Sequence, residues 1–223
     1  MMRASRVALL AGLASSAAHA AVVNATFTGV APGQDVGITG PNGALTTRAG
    51  VYQFHRNLDN PGDQPGLTPD FPSFCIEVTE PIAGGQSVSF DLGLLRDAPT
   101  SVPGGMGLAR ETRIAELVAR HYGDAFASDS NAAAFQLAVW ELVNDDAPDL
   151  ATGVFQVNSA PEDTINTAAL WLGQINGEFT ASVFALTSIG AQDYLVAGNL
   201  IPAPGTLGLL AIGGLAAARR RRA

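Results

Sequence analysis

Two residues in this chain carry reactive side chains in stretches suited to burial. Cys75, in PSFCIEV, is the only cysteine. Gln136 sits in the middle of SNAAAFQLAVWEL, residues 130–142, which is otherwise almost wholly apolar. A buried amide left unpaired costs about 1–3 kcal/mol, so Gln136 must find partners. Two readings follow. In the first, the amide bonds backbone groups and pins its helix to a strand. In the second, it meets the cysteine. A thiolate attacks the carboxamide carbon, ammonia leaves, and a Cys–Gln thioester remains. Such a bond needs both groups held together in a dry pocket, since water or any amine opens it. Phe74, Phe135 and Trp140 flank the pair in sequence and are candidates to wall that pocket.

The elements that position these residues can be read from periodicity. Phe74 to Val78 reads as a strand, which puts Cys75, Glu77 and Thr79 on one face. Asn131 to about Asn144 reads as a helix capped from 128–130, with Gln136 on a face with Ala132, Ala133, Trp140 and Val143. Glu77 and Glu141 read as outward-facing polar positions, with a role in orienting the pair as the alternative. Earlier, residues 21–58 read as strands broken by turns at Pro32-Gly33, Gly40-Pro41 and Asn42-Gly43. Asn57 to Pro72 and Pro99 to Gly105 read as loops, and Ser87 to Leu95 as a strand. Arg110 to Ala127 has helical spacing. Ser159-Ala-Pro-Glu162 has the form of a capping box, opening a third helix to about Gly177. Thr180 to Thr187 and Tyr194 to Ala197 return to strand character. The expectation is one α+β domain over 21–200, with sandwich- or barrel-like strands and an inserted group of about three helices.

Charge narrows the function. Between the two ends lie six arginines and all twenty acidic residues, which leaves that core at −14. Nucleic acid and anionic lipid call for a basic surface, so neither is an expected partner. The chain contains no lysine. An arginine-preferring genome accounts for that; so does a thioester that no side-chain amine of its own chain can consume. A cysteine hydrolase would need His55 or His121 beside Cys75. Asp145, Asp146 and Asp149 lack the spacing of a calcium loop. No metal or cofactor is expected.

Both ends read as processing segments. Residues 1–20 have Arg3 and Arg6, a short apolar run and Ala18-His19-Ala20, the pattern of a secretory signal removed by signal peptidase. Residues 201–223 begin with Pro202-Ala203-Pro204, continue as an uncharged run and end in Arg219, Arg220, Arg221 and Arg222. That tail reads as a weak anchor with a basic stop on the cytoplasmic side. It resembles the PEP-CTERM sorting signal of Gram-negative bacteria, with Ala203 where that family carries Glu. The resemblance implies processing by an exosortase, transient contact with the inner membrane, and delivery to the cell surface or an exopolysaccharide matrix.

A second resemblance rests on Phe74-Cys75-Ile76-Glu77 and Phe135-Gln136-Leu137-Ala138-Val139-Trp140-Glu141. The two segments look like those of bacterial thioester domains of surface adhesins, with Phe135 and Val139 where the family usually has Thr and Ile. It covers roughly residues 50–145. It implies that Cys75 and Gln136 are the thioester partners and that the protein is a non-enzymatic covalent adhesin for an amine-bearing partner. A non-reactive structural matrix protein is the alternative.

Overall fold

The computed structural model describes residues 21–57 and 69–198. The stretch read as a secretory signal (1–20) and the tail with Pro202, Pro204 and Arg219 to Arg222 lie outside the described residues. A long hairpin begins the fold: β1 (Ala21–Gly40), a turn at Pro41-Asn42, and β2 (Gly43–Arg56). Val23, Ala25 and Phe27 alternate with partly exposed residues, the period of a half-buried strand. The turn expected at Pro32-Gly33 is absent. There β1 runs on through a register shift between Val30 and Gly33. Proline has no N–H for the ladder, and an irregular step accommodates it without ending the strand. Gly50, opposite Gly33, has φ +156°, and a Cβ there would strike the Pro32 carbonyl, so the close approach requires glycine.

The remaining strands are β3 (Asp70–Cys75), β4 (Ser87–Leu94), β5 (Gln156–Ser159), β6 (Val183–Ser188) and β7 (Ala191–Ala197). Pairing runs β1–β2–β3–β7–β6–β4 and back to β1, antiparallel throughout, so the sheet closes on itself. β5, which has no clear sequence signal, adds to the far end of β1 at Gly37 to Thr39. Inside the ring Phe54 meets Phe71, Phe90 and Tyr194 at centroid distances of 4.8–5.6 Å. The fold is α+β, as its pattern implies.

Three helices lie between β4 and β6: α1 (Gly107–His121), α2 (Asp129–Asn144) and α3 (Glu162–Gly173). Ser128 caps α2, its hydroxyl accepting the Asn131 N–H at 3.0 Å. From Ala132 to Val143 every residue of α2 is buried. A helix apolar on all sides is a central one, and α2 packs against β1, β2, β3 and α3.

Four further local expectations need correction. The first helix ends at His121 rather than Ala127, followed by a short 3-10 turn over Asp124–Phe126. The Ser159–Glu162 capping box does not form: Ser159 belongs to β5, opposite Gly37, and α3 starts after Pro161 with no side-chain cap and stops at Gly173. The strand through Cys75 ends at that residue instead of reaching Val78, and Phe74 to Glu77 are all buried. One further backbone bond, Ile76 N–H to the Asp193 carbonyl at 3.0 Å, follows, and the Cys75 sulfur engages the backbone of Glu77. Glu77 and Glu141, expected to face outward, are 2% and 0% exposed.

Candidate functional site

Cys75 ends β3, with Tyr194 of β7 as its partner across the ladder. On the other side, β2 accompanies β3 only as far as Tyr52 opposite Ser73. β2 then turns toward the Gly33–Gly50 approach, which leaves one edge of Cys75 without a strand. The Gln136 carboxamide takes that place. Its Oε1 accepts the Cys75 N–H at 2.9 Å, and its Nε2 donates to the Cys75 carbonyl at 2.7 Å. An amide presents one donor and one acceptor side by side, as a neighbouring strand does, so it substitutes for the missing ladder bonds. Both residues are fully buried. Residues 61 positions apart are thus joined by two hydrogen bonds.

The Cys75 thiol donates to the Glu77 carbonyl at 2.8 Å and accepts the Glu77 N–H at 3.3 Å. Burial pushes its pKa up to about 12; the Trp140 indole N–H and the Glu77 backbone bond pull the other way, and the charges of Glu77 and Asp193 add to the rise. That indole N–H is buried without an ordinary hydrogen-bond partner, yet lies close enough to favour the thiolate. Trp140 packs on Phe155, 6.0 Å between centroids. Phe74, on the opposite face of β3 from the thiol, packs on Phe135 at 4.4 Å, with Tyr122 beside both. The pair therefore sits between two aromatic groups, one on each side of the strand.

Two acids, Glu77 and Asp193, act on the thiol, and a third buried acid, Glu141, lies on α2. Glu77 Oε1 accepts from Thr79, while its Oε2 is buried without a partner. The Glu77 carbonyl also accepts from Gln192 Nε2 at 2.9 Å, and Tyr194 donates to Gln192 Oε1 at 2.8 Å. Asp193 accepts from the backbone N–H groups of Thr100 and Ser188. Burial nevertheless raises its carboxyl to about 6, with the Glu77 charge adding to the rise. Glu141 accepts the Asp149 N–H at 2.7 Å through Oε1 and leaves Oε2 unbonded. Burial lifts it to about 7, and the charges of Asp145 and Asp149 contribute. Tyr194 carries only the signal of a late strand, and Gln192 and Asp193, which the strand also takes in, carry none. Only the ladder brings them beside Cys75.

Neither histidine bonds the cysteine. His55 is exposed and pairs with Asp70 at 2.6 Å. His121 stacks on Trp171 at 4.7 Å and meets Asp124 at 3.3 Å. Asp145 and Asp149 organise the loop after α2, holding the N–H groups of Val154, Phe155 and Ala151, and Asp146 pairs with Arg110 at 3.0 Å. Among the described residues, no three His, Cys, Asp or Glu side chains are grouped to hold a metal ion, and no helix is long and apolar enough to cross a membrane. The chain matches no family model, no curated protein and no solved structure.

Proposed function

We propose that this is an exported surface or matrix protein in which Cys75 and Gln136 form an internal thioester for covalent attachment to an amine-bearing partner. One observation carries the reading: the Gln136 carboxamide is held by two hydrogen bonds on Cys75 itself, both residues fully buried. The sulfur attacks Cδ, the C–N bond breaks, and the amide nitrogen leaves as ammonia with the thiol proton. An incoming amine reverses the logic: a C–N bond forms, the C–S bond breaks, and the thiol is regenerated. Dry walls on both sides of the strand protect the bond from water. The leader and the Pro-Ala-Pro tail support delivery through signal peptidase and an exosortase to the cell surface or an exopolysaccharide matrix.

A specific feature favours a second reading, a non-reactive matrix protein. The amide bonds both backbone groups of Cys75, and the thiol bonds both backbone groups of Glu77, so the pair has its partners without reacting. Here Gln136 is a clamp that replaces the strand β2 withholds. Intact mass of the secreted protein separates the two. A thioester makes it lighter by one ammonia, and methylamine adds to it with release of a thiol. An unchanged mass, with Cys75 alkylated once the protein is unfolded and no methylamine adduct, sinks the thioester.

A further inference from the structure

A second group of reactive side chains, separate from Cys75, lies where three elements meet. Gln34 follows the register step of β1, Ser130 is in the first turn of α2, and Asp163 and Thr164 are in the first turn of α3. Thr164 is fully buried and Gln34 half-buried. The Thr164 hydroxyl donates to Gln34 Oε1 at 2.8 Å. The same oxygen lies 2.9 Å from Ser130 Oγ, which donates to Asp163 Oδ2 at 2.8 Å. Among the described residues nothing bonds Gln34 Nε2. Asp129 holds the strand in place here, its carboxylate accepting the Gly33 N–H at 2.9 Å.

The order of groups is carboxamide, hydroxyl, hydroxyl, carboxylate. A hydroxyl has one proton and two lone pairs. Turning the Thr164 proton from Gln34 to Ser130 leaves a lone pair facing the carboxamide, whose carbon is one bond beyond Oε1. Ser130 then passes its own proton to Asp163. A nucleophile in reach of a proton acceptor that a third group orients is an activated one. The fold supplies the electrophile, so the reaction is intramolecular. Fastening β1 to α3 by a hydrogen bond needs only Thr164 and Gln34; the relay behind Thr164 is what bond formation requires in addition.

We propose that Thr164 and Gln34 form an ester that staples α3 to β1. Thr164 Oγ1 attacks Gln34 Cδ, and its proton moves to Ser130 as the Ser130 proton moves to Asp163. The proton returns along the relay to Nε2, the C–N bond breaks, and ammonia leaves. The burial of Thr164 shields the product from water. The bond joins residues 130 positions apart. A cross-link of that span restricts the unfolded chain as a disulfide does, and with a single cysteine no disulfide within the chain can take its place. The staple is independent of the thioester.

The full chain carrying Cys75→Ala cannot form the thioester, so its intact mass isolates the ester. That mass is expected to fall short of its sequence by one ammonia. Proteolysis should give a branched peptide containing Gln34 and Thr164, which hydroxylamine splits. Adding Thr164→Val, nearly isosteric, should abolish the loss, and Thr164→Ser should keep it. Asp163→Asn should slow the loss about a hundred-fold, followed as mass against time after refolding. In the parent chain two ammonia losses are expected when both bonds form, one of them answered by methylamine. Full mass in folded Cys75→Ala protein overturns the staple, and a parent chain that still takes up methylamine then leaves the thioester standing. A loss that survives Thr164→Val, or a rate unchanged by Asp163→Asn, overturns it as well.

Discussion

Two buried carboxylates, Glu116 on α1 and Glu77 after β3, are hidden to the same degree, at 1% and 2% exposed. Their surroundings are opposite. Glu116 meets the Arg120 guanidinium at 2.8 Å, the Gly177 N–H at 2.7 Å and the Asn176 N–H at 3.2 Å. Burial by itself would raise its pKa, but the Gly177 N–H, Arg120 and the Asn176 N–H together hold it below its ordinary value. Arg120 is fixed in turn by the Asn176 side chain and by the ring of Phe179, 4.1 Å away. Glu77 has Thr79 on one oxygen and nothing on the other. The fold can therefore neutralise a buried acid completely, and does so where α1 must be tied to the segment after α3. Beside Cys75 it leaves Glu77 incompletely bonded. A satisfied network fastens elements, whereas an unpaired buried acceptor is a cost that the rest of the fold must carry.

The strongest way to break the contrast is at its satisfied end. Arg120→Ala leaves Glu116 buried with two N–H partners and no cation, and should destabilise the protein by roughly 3 kcal/mol, read as the urea midpoint of unfolding. A loss under about 0.5 kcal/mol would show that Glu116 is no fastening at all. At the open end, Gln136→Leu strips partners from both backbone groups of Cys75 and should cost about 2–3 kcal/mol. Cys75→Ala, which keeps those backbone bonds, should cost about 1 kcal/mol. If the order of these two is reversed, the amide is not the strand substitute described above.

The most pH-dependent effect is at Glu141. Its carboxyl is raised from 4.5 to about 7 in the folded state, chiefly by burial. Below pH 4.5 both folded and unfolded forms are protonated, and the group has no influence on stability. As pH rises toward 7 the unfolded chain ionises first, so stability falls across that window and stays lower above it. Glu141→Gln keeps the bond from Asp149 N–H and removes the titration. The variant should match the parent near pH 4 and exceed it by roughly 2 kcal/mol at pH 8, measured as thermal midpoints across pH. Equal midpoints at both pH values would place Glu141 in water rather than in the interior.

Much of the scaffold is legible along the chain, and the reasons are local. The Gly40–Gly43 turn, the alternation of Val23, Ala25 and Phe27, and the Ser128 cap of α2 depend on neighbours in sequence. Where distant partners compete, local signals mislead. Ser159 has the spacing of a cap but is taken by the β5 ladder. Pro32-Gly33 has the composition of a turn but is carried through the strand by pairing with β2. The candidate site divides in the same way. Cys75, Gln136, Phe74, Phe135 and Trp140 stand out by type and spacing, whereas Gln192, Asp193 and Tyr194 do not.

The sequence by itself determines that a lone cysteine and a lone amide lie on two apolar elements, inside an acidic, lysine-free chain with an apolar run near each end, the second followed by four arginines. Residue type decides such properties, and they hold in any fold. Only the tertiary structure decides that β2 departs beyond Tyr52 and that Gln136 fills the gap on Cys75. It also decides that Glu77 turns inward, with one buried oxygen left without a partner. Hydrogen-bond satisfaction is a property of what surrounds a group after folding, and no count of residues along the chain contains it.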